Sequence, residues 1–300
     1  MEHRRQSRLG LAALAIGATG IAFAPIWVRL SGVGPSATAF HRLFLALPVL
    51  WAWYGLERRR SPETPRPARS SDFALLAASG FFFAGDLVVW HWAIKLTSVT
   101  NATLFPNLAP IFVTLAARFL FHEAVTRLFV LGMSIALAGA LLVAGNSLIQ
   151  HGHGLAGDAL GMLTAVFYGS YQLSVNRLRT RFSTAVIMSW SGLATCPLLL
   201  AAAIVSGEKL TPPTVTGWCV LAALALTSQV AGQGLIAYAS AHLSASFLSV
   251  GLLLQPPLAA GLALVCLGEP ISTTQIIGGI VVLTGIGLAH QAAKPAMGSR

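Results

Sequence analysis

The chain has 300 residues, 55% of them hydrophobic and 9% charged, with a formal net charge of +10 and a mean hydropathy of +0.74. A soluble domain carries about 25% charged residues, so this chain cannot cover itself with a polar surface and reads as a protein embedded in lipid. Its basic excess fits the Arg and Lys bias of cytoplasmic loops; no basic face interleaved with base-stacking aromatics points to a nucleic-acid partner.

Residues 1 to 8 carry Arg4, Arg5 and Arg8 ahead of an apolar run long enough to span, which reads as an uncleaved first span rather than a signal peptide. A crossing takes about 20 apolar residues. That ruler predicts ten spans, near 9–28, 36–56, 73–94, 101–121, 126–145, 157–176, 183–205, 215–239, 244–267 and 273–291. The one long linker runs from Glu57 to Asp72 and is rich in Pro and Arg. If the N-terminus is cytoplasmic, fifteen Arg and Lys fall on cytoplasmic segments and three (Arg29, Lys95, Lys209) on the other side, while Arg42 falls within span 2. The expectation is a multi-pass protein of the bacterial inner membrane with both termini cytoplasmic. Cys196, Cys219 and Cys266 all lie in apolar runs and read as small core residues, not as a disulfide or metal site.

The stretch Ser79–Pro110 holds Asp86, His91, two tryptophans and two prolines, where a lipid-embedded segment carries almost nothing polar or helix-breaking. A shift of 146 positions lays this region on a second copy without a gap. Ala93 falls on Ala239, Ser98 on Ser244, Pro110 on Pro256, Glu123 on Glu269, Gly132 on Gly278 and Gly139 on Gly285. The chain therefore divides into two five-helix repeats, 1–150 and 151–300. Five is odd, so the repeats enter the membrane from opposite sides, and the binding site is expected near midplane between them.

Ionisable residues inside a span are functional candidates by default. Asp86 shares a helix face with Phe82, Phe83 and Trp90, and an acid among aromatic rings suits an ammonium group; the alternative is a structural strut paired with Arg42 or a histidine. Arg42 is suited to a carboxylate, or else snorkels to the outer headgroups or braces a neighbouring helix. His91 either relays protons or bonds between helices. Phe23, Trp27, Tyr168, Gln229 and Gln233 complete the cavity candidates, because amides inside lipid must face protein or a cavity. Pro106 and Pro110 in span 4, and Pro256 and Pro257 in span 9, are read as interruptions and candidate hinges for gating. Thr126 and Ser272 read as N-caps of spans 5 and 10, with Glu123 and Glu269 complementing the same helix starts. Gly132, Ala136 and Gly139 in span 5, and Gly278, Gly285 and Gly287 in span 10, form small-residue stripes for close helix packing, within the chain or between chains. His151 and His153 read as solvent-exposed, and no metal or cofactor site is expected.

With ten spans in a 5+5 inverted repeat, the HE and GEP phrases closing spans 4 and 9, the Arg in AFHRLFLALP and the glycines of spans 5 and 10, the chain resembles the drug/metabolite transporter superfamily. Within it, it looks most like the bacterial amino acid exporters of the YddG type. That resemblance implies export of aromatic and other neutral amino acids, and sometimes aromatic cations, through a cavity made mainly by spans other than 5 and 10. The HEAV phrase departs from the usual glycine–glutamate–proline form, so the two gates need not behave alike. A transporter is expected, with exporters of another small metabolite, a channel-like facilitator and a membrane-embedded enzyme as alternatives. Asp86 and His91, five residues apart, are poorly spaced for an enzyme site on one helix face. Energy coupling and oligomeric state stay open.

Overall fold

A computed structural model describes residues 2–96, 105–144 and 155–293. It is all-helical, with no strand among the described residues. His151, His153 and the first residues of the expected fourth span lie outside the described residues.

Proline positions explain several of the helix boundaries. Helix α1 (Glu2–Ala22) gives way at Phe23 to α2 (Ala24–Leu30), whose first turn holds Pro25. A proline has no N–H to donate to the preceding turn but is well accommodated at a helix start. Likewise α3 (Pro35–Phe44) passes into α4 (Ala46–Arg60) at Leu45, shortly before Pro48. Helix α5 (Ser70–Leu96) runs 27 residues without a break. A 3-10 turn (Phe105–Leu108) leads into α6 (Ala109–Leu120), and α7 (Arg127–Ala144) closes the first half. The second half holds α8 (Leu155–Arg179), α9 (Thr184–Val205) and α10 (Val215–Leu224). A π-helical stretch (Ala225–Gln233) then joins α10 to α11 (Gly234–Ala239). Helix α12 (Ala245–Gly251), a 3-10 turn (Leu252–Leu254), α13 (Gln255–Leu267) and α14 (Thr273–Ala293) complete it.

Among the described residues, seven helices or unbroken helix runs are long and apolar enough to cross a membrane. They coincide with seven of the expected spans. The expected spans 36–56, 101–121 and 157–176 correspond to the α3–α4 run, the α6 run and α8, which are helical but outside that set. The outer surface suits lipid: Phe119 is 76% exposed, Val205 76% and Val265 81%. Apolar exposure on that scale marks a surface that meets another apolar phase.

The packing is two-fold. The contact between α5 and α8 has its image, under the 146 shift, in the contact of α1 with the π stretch and α11. The most extensive contact pairs α7 with α14, each the image of the other, and they run antiparallel. A Cβ on Gly132 would meet the backbone of Gly285 and Ala289, and one on Gly139 the backbone of Gly278 and Val282. The first pairing maps onto the second when the halves are exchanged, so equivalent helices point in opposite directions. Four glycines of the predicted stripe thus let two backbones touch, as membrane helices favour. Gly287 does not belong to that seam, since nothing lies within 4 Å of its would-be side chain.

The ends of α6 and α13 also match. Gly268 caps α13 in the left-handed region (φ 68°), and its image His122 adopts the same conformation (φ 55°). Glu123 N–H reaches Ala117 O at 3.2 Å, and Glu269 N–H reaches Ala263 O at 3.3 Å. Histidine is among the non-glycine residues that tolerate this region, so the departure from glycine changes the residue and keeps the cap.

Candidate functional site

The site is built where the repeats meet. Helix α5 has no break, so Phe83, Asp86 and Trp90 stay on one face at i, i+3 and i+7. From the other half, the π-helical stretch widens the turn that carries Thr227, Ser228, Gln229 and Gln233. Such stretches recur at functional sites because they re-aim side chains. Gly20 and Gly232 allow this stretch close to α1: a Cβ on Gly20 would lie 2.7 Å from Thr227 O. Ser228 Oγ donates to Gly20 O at 2.8 Å, and Trp27 Nε1 donates to Thr227 Oγ1 at 3.1 Å.

Between these walls lies a cavity of about 460 Å3. Its lining includes Arg42, Phe83, Asp86, Leu87, Trp90, Pro106, Tyr168, Gln233, Gln255 and Pro256. It extends past Val28, Ala144 and Gln275 to the bundle end that carries Arg29 and Glu269. Charge enters an otherwise largely apolar wall through Arg42 and Asp86. Arg42 is 8% exposed, so the snorkelling alternative is corrected: its place in the middle of the bundle leaves no route to headgroups. Arg42 Nε donates to Gln229 Oε1 at 3.0 Å, and its guanidinium carbon sits 5.7 Å from the Phe83 ring centroid. Its Nη2 is buried without an acceptor. The ion pairs among the described residues are Arg29–Glu269 and Arg181–Asp72. Asp86 is therefore not held in a direct Arg42 strut.

The structure brings together Arg42, Phe83, Asp86, Trp90, Tyr168 and Gln233 as lining residues. Gln229 stands behind Arg42 as its acceptor. Phe23 and Trp27 stack on each other at 6.0 Å outside the lining, where they brace α1 and α2. His91 belongs to α5, while its side chain lies outside the described set. The prolines divide: Pro106 and Pro256 line the cavity, whereas Pro110 and Pro257 do not. Rather than bending continuous helices, Pro110 and Pro256 each stand at the start of a new α-helix behind a 3-10 turn.

A second void of about 10 Å3 lies against Tyr168, Tyr171, Gln172 and Gln233, toward the other end of the bundle. Tyr168 and Gln233 line both spaces. At that end, Asn176 Nδ2 donates to Ser240 O at 3.0 Å. The Glu123 carboxylate accepts from Ala245 N at 2.8 Å, Ser246 N at 3.2 Å and Ser246 Oγ at 2.5 Å. Thr126 and Ser272 cap α7 and α14 as expected. The glutamates do not join them there. Glu123 caps α12 across the repeat boundary, where unpaired N–H groups face it, and Glu269 pairs with Arg29. Sequence reasoning missed Gln255, Gln275 and Thr38 in the lining. An amide directly before Pro256 was a usable signal for the first.

The EamA-like transporter family matches residues 8–145 and again 155–290. A probable terminal-alkyne amino-acid exporter of Streptantibioticus cattleyicolor is 27% identical over 278 residues, 90% of this chain and 89% of that protein. An uncharacterized transporter of Bacillus subtilis, YdfC, is 24% identical over 91% of this chain and 87% of its own length. The pseudopaline exporter CntI of Pseudomonas aeruginosa is 23% identical over 70% of this chain and 72% of that protein. A crystal structure superposes with a TM-score of 0.78 at 20% identity, covering 98% of this chain and 99% of that one; it shares the fold. The family model covers both halves, and the chain belongs to the EamA-like transporter family, within the drug/metabolite transporter superfamily.

Proposed function

We propose that the protein exports aromatic and other neutral amino acids across the bacterial inner membrane by alternating access. In this reading the ten helical runs are spans, residues 1–150 and 151–300 are inverted repeats, and both termini are cytoplasmic. The observation that carries it is the cavity of about 460 Å3 at the repeat interface, with one cation and one acid, Arg42 and Asp86, in a wall otherwise rich in apolar and aromatic groups. Its size lies within the usual range for small-molecule sites, about 300–1,000 Å3. The name of the amino-acid exporter relative supports the substrate class.

In this reading the Arg29–Glu269 end faces outward, as the charge count supports, and the cavity open toward it is the outward-open form. Tyr168 and Gln233 form the floor, and the Glu123 bonds to Ala245 and Ser246 close the inner mouth. Export requires these to part while the outer mouth shuts.

The test is an export assay in bacteria overproducing the protein. Cells challenged with a toxic phenylalanine analogue should survive higher doses and release more neutral amino acid than cells carrying empty vector. Equal sensitivity and equal release, with the protein present in the membrane, would remove the amino acid reading.

A further inference from the structure

We infer that the cavity recognises both charged ends of a free α-amino acid, with Arg42 taking the carboxylate, Asp86 the ammonium and Gln229 aiming the Arg42 fork. The inference rests on the amino acid reading above and sharpens it to molecules that carry both groups unblocked.

The argument starts from what Arg42 does with its five N–H donors. Nε is committed to Gln229 Oε1 at 3.0 Å. The Phe83 ring covers the guanidinium at 5.7 Å. No described residue accepts from its terminal nitrogens, and Nη2 is buried without a partner. A buried guanidinium, held on one edge and with Nη2 unpaired on the other, is arranged for a planar two-oxygen acceptor. Burying such a group without a partner is costly, and a substrate carboxylate relieves that cost.

Asp86 supplies the opposite charge from the same cavity wall, on the helix that also carries Phe83. It makes no ion pair with Arg42, and both side chains line the same cavity. A group carrying minus at one end and plus at the other meets both partners within the one cavity they line. An amine without a carboxylate leaves Arg42 unpaired, and an acid without an ammonium leaves Asp86 unpaired. Phe83, Leu87 and Trp90 leave apolar room for the side chain.

Gln229 is a positioning residue in this scheme. It does not line the cavity; it fixes the rotation of the fork from behind. Its image under the repeat is Phe83, so Arg42 is held by equivalent positions of the two halves. The π-helical stretch brings Gln229 to that place, which gives the local distortion a purpose.

The experiment measures competition for radiolabelled L-phenylalanine binding to the purified full-length protein in nanodiscs. The competitors are L-phenylalanine, phenylalaninamide, phenethylamine and 3-phenylpropanoate, with L-leucine and L-threonine as additional neutral amino acids. Binding should fall by at least about tenfold for each competitor lacking either charged end, the scale of one lost charge-assisted contact. Gln229→Leu should lose discrimination against phenylalaninamide and phenethylamine while still rejecting 3-phenylpropanoate. Asp86→Asn should show the reverse pattern. A merely structural role for Gln229 would lower all affinities together and leave the ratios unchanged, which would overturn its assignment. If amino acids bind but the blocked analogues bind equally well, the two-ended clamp is wrong and the export reading survives. If no neutral amino acid binds the folded protein, the export reading fails and this inference fails with it.

Discussion

Arg42 Nε donates to Gln229 Oε1 at 3.0 Å, linking α3 to the π-helical stretch between α10 and α11. The bond orients the guanidinium while leaving its other edge free. Lysine at position 42 keeps the charge but not the fork, so it cannot bond Gln229 and a carboxylate in the same geometry. Arg42→Lys should weaken phenylalanine binding by about tenfold or more, on the scale of a charged hydrogen bond, with thermal stability little changed. Equal affinity in direct binding would show that charge alone is used at this position.

The α7–α14 seam makes a sharp steric prediction. A Cβ on Gly132 would lie 2.5 Å from Ala289 N, and one on Gly139 2.5 Å from Val282 N. Backbone cannot yield as a flexible side chain can. Gly132→Ala or Gly139→Ala should therefore cost about 1–3 kcal/mol, the usual cost of overpacking. Gly287→Ala, with nothing within 4 Å, should be neutral. Thermal unfolding in detergent distinguishes them, and equal melting of all three would refute the close seam.

Glu123 is predicted to hold the inner mouth shut. Its carboxylate accepts three bonds at the start of α12, and hydrogen bonds to a charged group contribute about 1.5–3 kcal/mol. Glu123→Gln should shift the balance toward the inward-open form. In a background free of the native cysteines, Val175→Cys beside the floor void should react faster with maleimide added from the cytoplasmic side. An unchanged rate would make Glu123 a static cap.

The seam and the inner latch show how far the sequence could be read. The 146-residue shift, the glycines and the Pro110–Pro256 match were visible because they recur, and recurrence needs no partner to be known. Asp86 and Arg42 were visible because charge is costly in lipid. The Arg42–Gln229 bond was not legible: it joins residues 187 apart through a π-helical stretch that leaves no pattern in hydropathy. The sequence points Glu123 to the start of its own neighbouring helix, because local complementation is the commoner arrangement, whereas here the N–H groups its carboxylate meets belong to α12. Phe23 and Trp27 carried the same aromatic signal as Phe83 and Trp90, and only packing separated bracing rings from lining ones.

The proline breaks should set the gating equilibrium. Pro256 opens α13 directly behind the 3-10 turn Leu252–Leu254. Alanine restores a backbone donor there and lets the α-helix extend backward through the turn. Pro256→Ala, and its image Pro110→Ala, should each alter the ratio of labelling at cysteines placed at the two mouths, with and without phenylalanine. Parental ratios in both variants, with parental export, would make the prolines packing features.

The most direct measurement is counterflow of labelled L-phenylalanine into liposomes holding the purified protein and preloaded with unlabelled phenylalanine. The parent protein should accumulate label transiently above protein-free liposomes. Asp86→Asn, equally folded and equally inserted, should lose most of that signal, because the ammonium contact at the cavity wall is gone. Absence of uptake by the folded parent for every neutral amino acid tried, or counterflow by Asp86→Asn equal to the parent, would contradict the account.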